Sequence, residues 1–194
     1  MTFPAASAKA APALIAADEP HFAAIARLAC LLTKPAPDGD EMIELEYEMT
    51  YAETIAGPLG PTSGSPLVER LCWQVASATL SGPRINARLA MPGTDWIRLG
   101  RDGIRRQDLR AQLVTHDGEL ILFRYDLALI RSTERFLAAL AVGESTGFGD
   151  QYMRIAPQFE AGGGHYAWLS ESLFLGRGRL TGPQAIEYEI YRVN

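Results

Sequence analysis

The sequence is poor in the residues that build disulfide and metal chemistry. Two cysteines, Cys30 and Cys72, occur in 194 residues, too few for a disulfide framework and without a Cys-x-x-Cys spacing. Both lie in apolar runs (Leu28-Ala29-Cys30-Leu31 and Leu71-Cys72-Trp73), which reads as buried, inert thiols of a reducing compartment. The three histidines, His21, His116 and His165, form no i, i+4 pair and have no cysteine close by in sequence, so no metal site is expected. No apolar run approaches the ~18 residues needed to span a bilayer. The N-terminal segment makes a poor secretory signal: no basic residue precedes Lys9, and Asp18, Glu19, His21 and Arg27 interrupt its apolar stretches. A cytoplasmic location is expected. Excess positive charge is also missing. With 23 acidic against 18 basic residues the net charge is −5, which gives no electrostatic reason for nucleic acid or an anionic membrane as partner.

What is present is an ordinary globular composition, 47% hydrophobic and 21% charged, in a chain long enough to bury one core. Residues 1–40 read as a tail followed by an amphipathic helix. Met1 to Ala17 is small, apolar and low in complexity. Asp18-Glu19-Pro20 looks like a helix start, with Phe22, Ile25, Ala26, Ala29 and Cys30 at helical spacing up to Leu32. Lys34-Pro35-Ala36-Pro37-Asp38-Gly39-Asp40 then reads as a linker. Such a helix has no core of its own, so it must pack on the main domain or on a partner, and a homo-oligomer stays open.

From Glu41 to Asn194 the period changes to two. Ile43, Leu45, Tyr47, Met49 and Tyr51 alternate with Met42, Glu44, Glu46, Glu48 and Thr50, as in a strand with one face on the core. Gly57-Pro58-Leu59-Gly60-Pro61-Thr62-Ser63-Gly64 reads as a loop. Further strands are expected over 71–79, 85–90, 95–99, 108–115 and 119–130, with His116-Asp117-Gly118 as a hairpin turn. A single helix follows, capped by Ser132, striped by Phe136, Leu137, Leu140 and Ala141, and ended by Gly143. Strands resume over 151–156, 166–170, 174–180 and 185–193, with a turn at Ala161-Gly162-Gly163-Gly164. Short antiparallel strands joined by turns, with one late helix and no βαβ alternation, point to a mainly β fold, a closed barrel or sandwich.

The chemical motifs are weak. Gly143-Glu144-Ser145-Thr146-Gly147 matches a nucleophile elbow by letters, but a helix precedes it where a strand is required, so it reads as a helix end. The glycines at 162–164 and in Gly176-Arg177-Gly178 carry neither a dinucleotide fingerprint nor a P-loop, and no cofactor is expected. Arg84, Arg88, Arg98, Arg101, Arg105, Arg106 and Arg110 crowd one stretch, and cross-strand pairing with acids such as Glu44, Glu46 and Glu48 accounts for them without a ligand. More informative are the residues that share a strand face: Asp108 with Arg110, and Tyr166 with Trp168 and Ser170. Arg154 stands in a run rich in apolar and aromatic residues (Tyr152, Met153, Ile155). Arg, Asp, Tyr and Trp inside a barrel are costly unless they pair or face a ligand.

Pro92-Gly93-Thr94-Asp95-Trp96, Asp108-Leu109-Arg110, Asp117-Gly118, Tyr152-Met153-Arg154 through Pro157-Gln158-Phe159-Glu160, and Tyr166-Ala167-Trp168-Leu169-Ser170 occur in that order. Together they resemble the landmarks of domain-of-unknown-function family 3237, from about Glu41 to the C-terminus. Ser170 stands where that family usually has Asn. The resemblance implies an antiparallel barrel similar to lipocalin-type barrels, and implies no activity.

Two functional expectations follow. In the first, the barrel binds a small, largely apolar or aromatic molecule, as barrels of about eight strands can. Trp96, Tyr166 and Trp168 would line the pocket with Ser170, Arg110 and Arg154 would anchor an oxygen, and Asp95 would hydrogen-bond. In the second, the same pocket is a cofactor-free enzyme for isomerisation, elimination or hydrolysis. Asp95 or Glu160 would be its general base, Tyr166 its acid and Arg154 the oxyanion stabiliser. A carboxylate of raised pKa in the pocket would favour the enzyme, and carboxylates salt-bridged to arginine would favour plain binding.

Overall fold

The computed structural model describes residues 42–59 and 69–194. The expected helix over Asp18–Leu32 lies outside them. Nine strands are described: β1 Leu45–Leu59, β2 Glu69–Gly82, β3 Ile85–Leu99, β4 Ile104–Thr115, β5 Leu120–Arg131, β6 Met153–Ile155, β7 Gln158–Ala161, β8 Phe174–Gly182 and β9 Ala185–Val193. One helix, α1 Glu134–Val142, crosses between β5 and β6, and a 3-10 turn spans Ala167–Leu169.

All pairings are antiparallel, and eight strands close into a ring in the order β1-β2-β3-β4-β5-β6-β8-β9. Closure leaves the ring without free edges. β5 serves two partners along its far side: Ala128–Ile130 pairs with β6, and Ile121–Arg124 pairs with β7. Among the described residues, no helix is long and apolar enough to cross a membrane.

Alternation selects the interior, with a change of phase between Val75 and Ala78 on β2 and between Tyr125 and Ala128 on β5. Val75 and Leu80 from β2, Ile85 and Ile97 from β3, Leu109 and Leu113 from β4, Ile121 and Phe123 from β5, and Ile186 and Ile190 from β9 are buried, and their neighbours point outward. Ring contacts knit the core: Tyr51 to Phe123 at 4.6 Å, Phe123 to Phe159 at 5.1 Å, and Phe159 to Phe174 at 5.1 Å between centroids.

Several sequence expectations are corrected here. The alternation of β1 does not keep one face. Against β9, Tyr47 pairs with Tyr191 but Met49 pairs with Ile190, so Glu48 is an extra, bulged residue. A bulge exchanges the faces on either side of it. Met49, Tyr51 and Ile55 therefore point in, while Ile43, Leu45 and Tyr47 are exposed. Glu48 itself is buried and held by Arg84 and Arg192, whose Nε donates at 2.8 Å. The expected strands 85–90 and 95–99 are one strand, β3, because its Pro92 sits at a bulge where no ladder N–H is needed. β1 extends to Leu59, into the segment from Gly57 expected as a loop, and β7 has no counterpart among the expected strands. Residues 166–170 form a 3-10 turn, not a strand. Cys72 is half-buried, opposite the exposed Trp96.

Helix α1 is capped by Thr133, one residue beyond the expected Ser132, and Thr133 Oγ1 accepts from the Phe136 N–H at 3.2 Å. Ser132 Oγ instead accepts from Arg105 Nε at 3.1 Å. The buried stripe is Phe136, Ala139 and the partly buried Leu140, at the i, i+3, i+4 spacing. Gly143 ends the helix at φ 70°, where its N–H bonds Ala139 O. Thr133→Ala will cost about 1 kcal/mol of folding stability, read as a lower urea midpoint at unchanged slope, whereas Ser132→Ala will leave the cap intact.

Candidate functional site

The barrel centre is not wholly apolar. β1 delivers Tyr51 and Glu53, β3 delivers Asp95, β4 Gln107, β5 Tyr125 and β9 Tyr188, each on the inward phase of its strand. Tyr51 Oη donates to Glu53 Oε2 at 2.8 Å. Tyr188 Oη donates to Gln107 Oε1 at 3.0 Å, and Gln107 Nε2 donates to Asp95 Oδ2 at 2.5 Å. This relay links β9, β4 and β3 across the interior. Four buried side-chain atoms among the described residues remain without a partner: Asp95 Oδ1, Tyr125 Oη, Trp73 Nε1 and Gln151 Oε1.

The electrostatics follow from what is missing around the acids. Among the described residues, neither Glu53 nor Asp95 forms an ion pair. Burial, reinforced by the Asp95 charge, pushes the Glu53 carboxyl up to about 8. Burial likewise raises Asp95 to about 7, against the opposing hydrogen bonds from Gln107 and the Asp108 backbone. The same burial raises the hydroxyls of Tyr51, Tyr125 and Tyr188 well above the usual tyrosine range. Glu48 is the internal contrast. Burial alone would raise it, but the Arg84 and Arg192 guanidiniums more than offset this and hold it below the usual carboxylate range.

A cavity of about 180 Å³ opens at one end of the barrel, walled by Ile55, Trp73, Leu180 and Ile186 and overlain by Leu140 of α1. None of the polar-layer residues lines it, but two of its walls neighbour that layer along the strands. Trp73 is the register partner of Asp95, and Ile55 follows Glu53 by two residues on the same face. The volume suits a single ring or a short branched chain, comparable with engineered cavities of ~150 Å³ that take benzene.

Of the residues expected to form the site, only Asp95 faces the barrel centre. Trp96 follows it directly and so points outward, nearly half exposed. Arg110 is on the outer face and touches Asp108 at 3.4 Å. Glu160, on β7, lines the same outer cleft as Arg110. Arg154 lies outside as well, donating to Met153 O at 2.8 Å with its guanidinium 5.0 Å from the Tyr152 ring. Tyr166, Trp168 and Ser170 pin the loop after β7. Tyr166 Oη donates to Asp117 Oδ1 at 3.0 Å, Arg84 covers Trp168 at 3.7 Å, and Ser170 Oγ accepts from the Ala161 N–H at 3.0 Å. Sequence reasoning missed Glu53, Tyr125, Gln107 and Tyr188. Each continues an apolar period of two, as in Ile121-Phe123-Tyr125 and Ile186-Tyr188-Ile190, and that phase was the available signal.

Among the described residues, no group of three or more His, Cys, Asp or Glu is gathered to hold a metal ion. Fold and site together define a closed eight-stranded antiparallel β-barrel with two unpaired acids in its centre. Residues 42–193 match the family described as "Protein of unknown function (DUF3237)", and the chain belongs to that family.

Solved structures agree on the fold. A conserved protein of unknown function from Rhodopseudomonas palustris is 19% identical with a TM-score of 0.70, over 80% of this chain and 100% of that one. A β-barrel-like protein from Acinetobacter baumannii is 24% identical with a TM-score of 0.64, over 81% and 99%. A protein described as an enzyme, from Penicillium herquei, is 17% identical with a TM-score of 0.58, over 82% and 100%. At these identities the likeness is one of fold. No curated protein matches the sequence.

Proposed function

We propose that the barrel admits a small, largely apolar molecule through the end cavity and moves a proton on it without a cofactor. The carrying observation is the pair of buried carboxylates, Glu53 and Asp95, that no cation among the described residues neutralises, set beside an apolar cavity. Near neutral pH, Glu53 with its pKa of about 8 holds its proton, while Asp95 at about 7 is partly ionised. Two like groups pushed to different pKa values can divide the roles of acid and base. Asp95, with Oδ1 unpartnered, is the base that takes a proton from a carbon next to a carbonyl. Glu53, or Tyr51 through it, returns one to the oxygen or to a neighbouring carbon. Isomerisation and elimination are the reactions this supports. Arg154, Glu160 and Tyr166 take no part in this version of the mechanism.

The test is solvent-deuterium incorporation into small aryl and alkyl ketones, with acetophenone first, followed by proton NMR on the full chain. Wild type will accelerate exchange, and Asp95→Asn will lose about 100-fold or more while remaining folded. Absence of protein-dependent exchange across the ketones overturns the reading. A second reading, binding without turnover, draws on the apolar wall of the cavity. It predicts a ligand in the organic extract of purified protein and equal affinity in Asp95→Asn.

A further inference from the structure

A second concavity lies not at the barrel end but on its outside, a cleft of about 430 Å³ over β3, β4, β5 and β7. It shares no lining residue with the end cavity. Its origin is local. Between Leu89 and Thr94, β3 takes five steps where β4 takes three, from Leu113 to Arg110, so β3 bulges away from its neighbour. Pro92 tolerates the bulge, and Gly93 allows the close approach: a Cβ there would sit 3.0 Å from Arg110 O.

The register then places like charges together. Thr94, Arg110, Arg124 and Gln158 stand side by side across four strands, with Arg110 directly opposite Arg124. Facing like charges destabilise a sheet unless something sits between them. The protein supplies little. Arg110 has only Asp108, at 3.4 Å with both side chains exposed, and among the described residues Arg124 has no ion-pair partner. Glu160 lines the cleft from the next row, opposite Leu122, and bonds neither arginine. Met91, Pro92 and Leu122 give the cleft an apolar side, with Met91 and Leu122 respectively 53% and 40% exposed.

The geometry points to a binding site for a small organic monoanion, a carboxylate carried on an apolar or aromatic body. The carboxylate lies between the Arg110 and Arg124 guanidiniums, each a rigid fork of donors suited to its two oxygens. The body lies against Met91, Pro92 and Leu122. Glu160 repels a compact dianion, which selects the carboxylate over phosphate. Arg110 and Glu160 thus meet in one site, outside the barrel rather than within it.

The probes are benzoate, its neutral isostere benzamide, and inorganic phosphate, titrated into the full chain while the arginine Nε–H resonances are followed by NMR. Benzoate will shift the Arg110 and Arg124 signals saturably, benzamide will bind at least about tenfold more weakly, and Arg124→Gln will lower benzoate affinity at least about tenfold. Arg124 is exposed, so the variant keeps its fold, which circular dichroism checks. Equal affinity for benzoate and benzamide, phosphate binding as tight as benzoate, unchanged affinity in Arg124→Gln, or no saturable shift up to about 50 mM benzoate would each overturn the site. Ketone exchange in the end cavity is read independently, so failure of either assignment leaves the other standing.

Discussion

Raising the pH from about 5 to about 9 will cost the folded protein on the order of 6 kcal/mol, and Glu53→Gln will remove a large part of that loss. The sign follows from the two buried acids. Their folded-state pKa values, about 8 for Glu53 and about 7 for Asp95, lie above the ordinary 4.5 and 3.8. Below about pH 3 both groups are protonated in folded and unfolded chains alike, and neither penalises folding. Above that, the unfolded chain ionises them freely while the folded chain cannot. Stability therefore falls with a slope of up to about 1.4 kcal/mol per pH unit for each group, until the folded carboxylates themselves ionise near pH 7 and 8.

The other shifted carboxylates act on the opposite side. Glu48, Glu189, Asp102, Asp117 and Asp150 are held below their usual range, so their contribution is complete above about pH 4.5 and is lost only as the pH falls further. Urea unfolding across pH should thus show a maximum near pH 5 with a descending neutral limb. Glu53→Gln keeps an oxygen for the Tyr51 hydroxyl and deletes the ionisation, so its neutral limb will be shallower. Glu53→Gln combined with Asp95→Asn will flatten it. A doubly substituted protein whose neutral limb is as steep as the wild type's would show that the two acids do not cause the loss.

How far the sequence carries is set by where a period of two is interrupted. The antiparallel barrel, the Asp117-Gly118 turn (Gly118 at φ 93°) and the late helix with its αL glycine were legible, because each rests on local spacing and backbone preference. The phase of each strand was not. The Glu48 bulge exchanges the faces of β1, and extra residues exchange those of β2 between Val75 and Ala78 and of β5 between Tyr125 and Ala128, whereas the two extra residues of β3 near Pro92 leave its phase unchanged. Asp95 and Trp96 are adjacent, so a shared pocket was excluded by the strand period itself. The interior acid that matters most beside Asp95, Glu53, follows the stretch in which the alternation of β1 was read and was not singled out. Its buried status is visible only in the run Met49-Tyr51-Glu53-Ile55, once that run is known to continue past the bulge. Tyr166, Trp168 and Ser170 read as a strand face because Gly162-Gly163-Gly164 looked like a hairpin turn. The chain instead coils into a 3-10 turn there and ties itself to Asp117, Arg84 and Ala161.

Gly178→Ala will destabilise the barrel by about 3 kcal/mol and damage the polar relay at the same time. Gly178 is the register partner of Tyr188, and a Cβ added to it would lie 2.4 Å from Tyr188 Cε1 and 2.6 Å from Cδ1. Neither atom can yield easily. The Tyr188 ring is fully buried, 6.0 Å from the Tyr125 ring, and its hydroxyl is committed to Gln107 at 3.0 Å. The Gly178 backbone is itself held, its carbonyl accepting from Gln151 Nε2 at 3.0 Å. An extra methyl must therefore turn the tyrosine ring, stretch the bond to Gln107 and loosen the Gln107 amide that steadies Asp95. Gly163→Ala is the matched control, because a Cβ there meets nothing within 4 Å. A double-mutant cycle separates the clash from the loss of glycine. In a Tyr188→Ala background, Gly178→Ala will cost little, giving a coupling energy of about 2 kcal/mol. Additive effects would instead mean that the strand, not the tyrosine, resists the methyl. The relay makes a second readout available: Gly178→Ala will lower the Asp95-dependent exchange of ketone protons under conditions where the variant is fully folded, while Gly163→Ala will not.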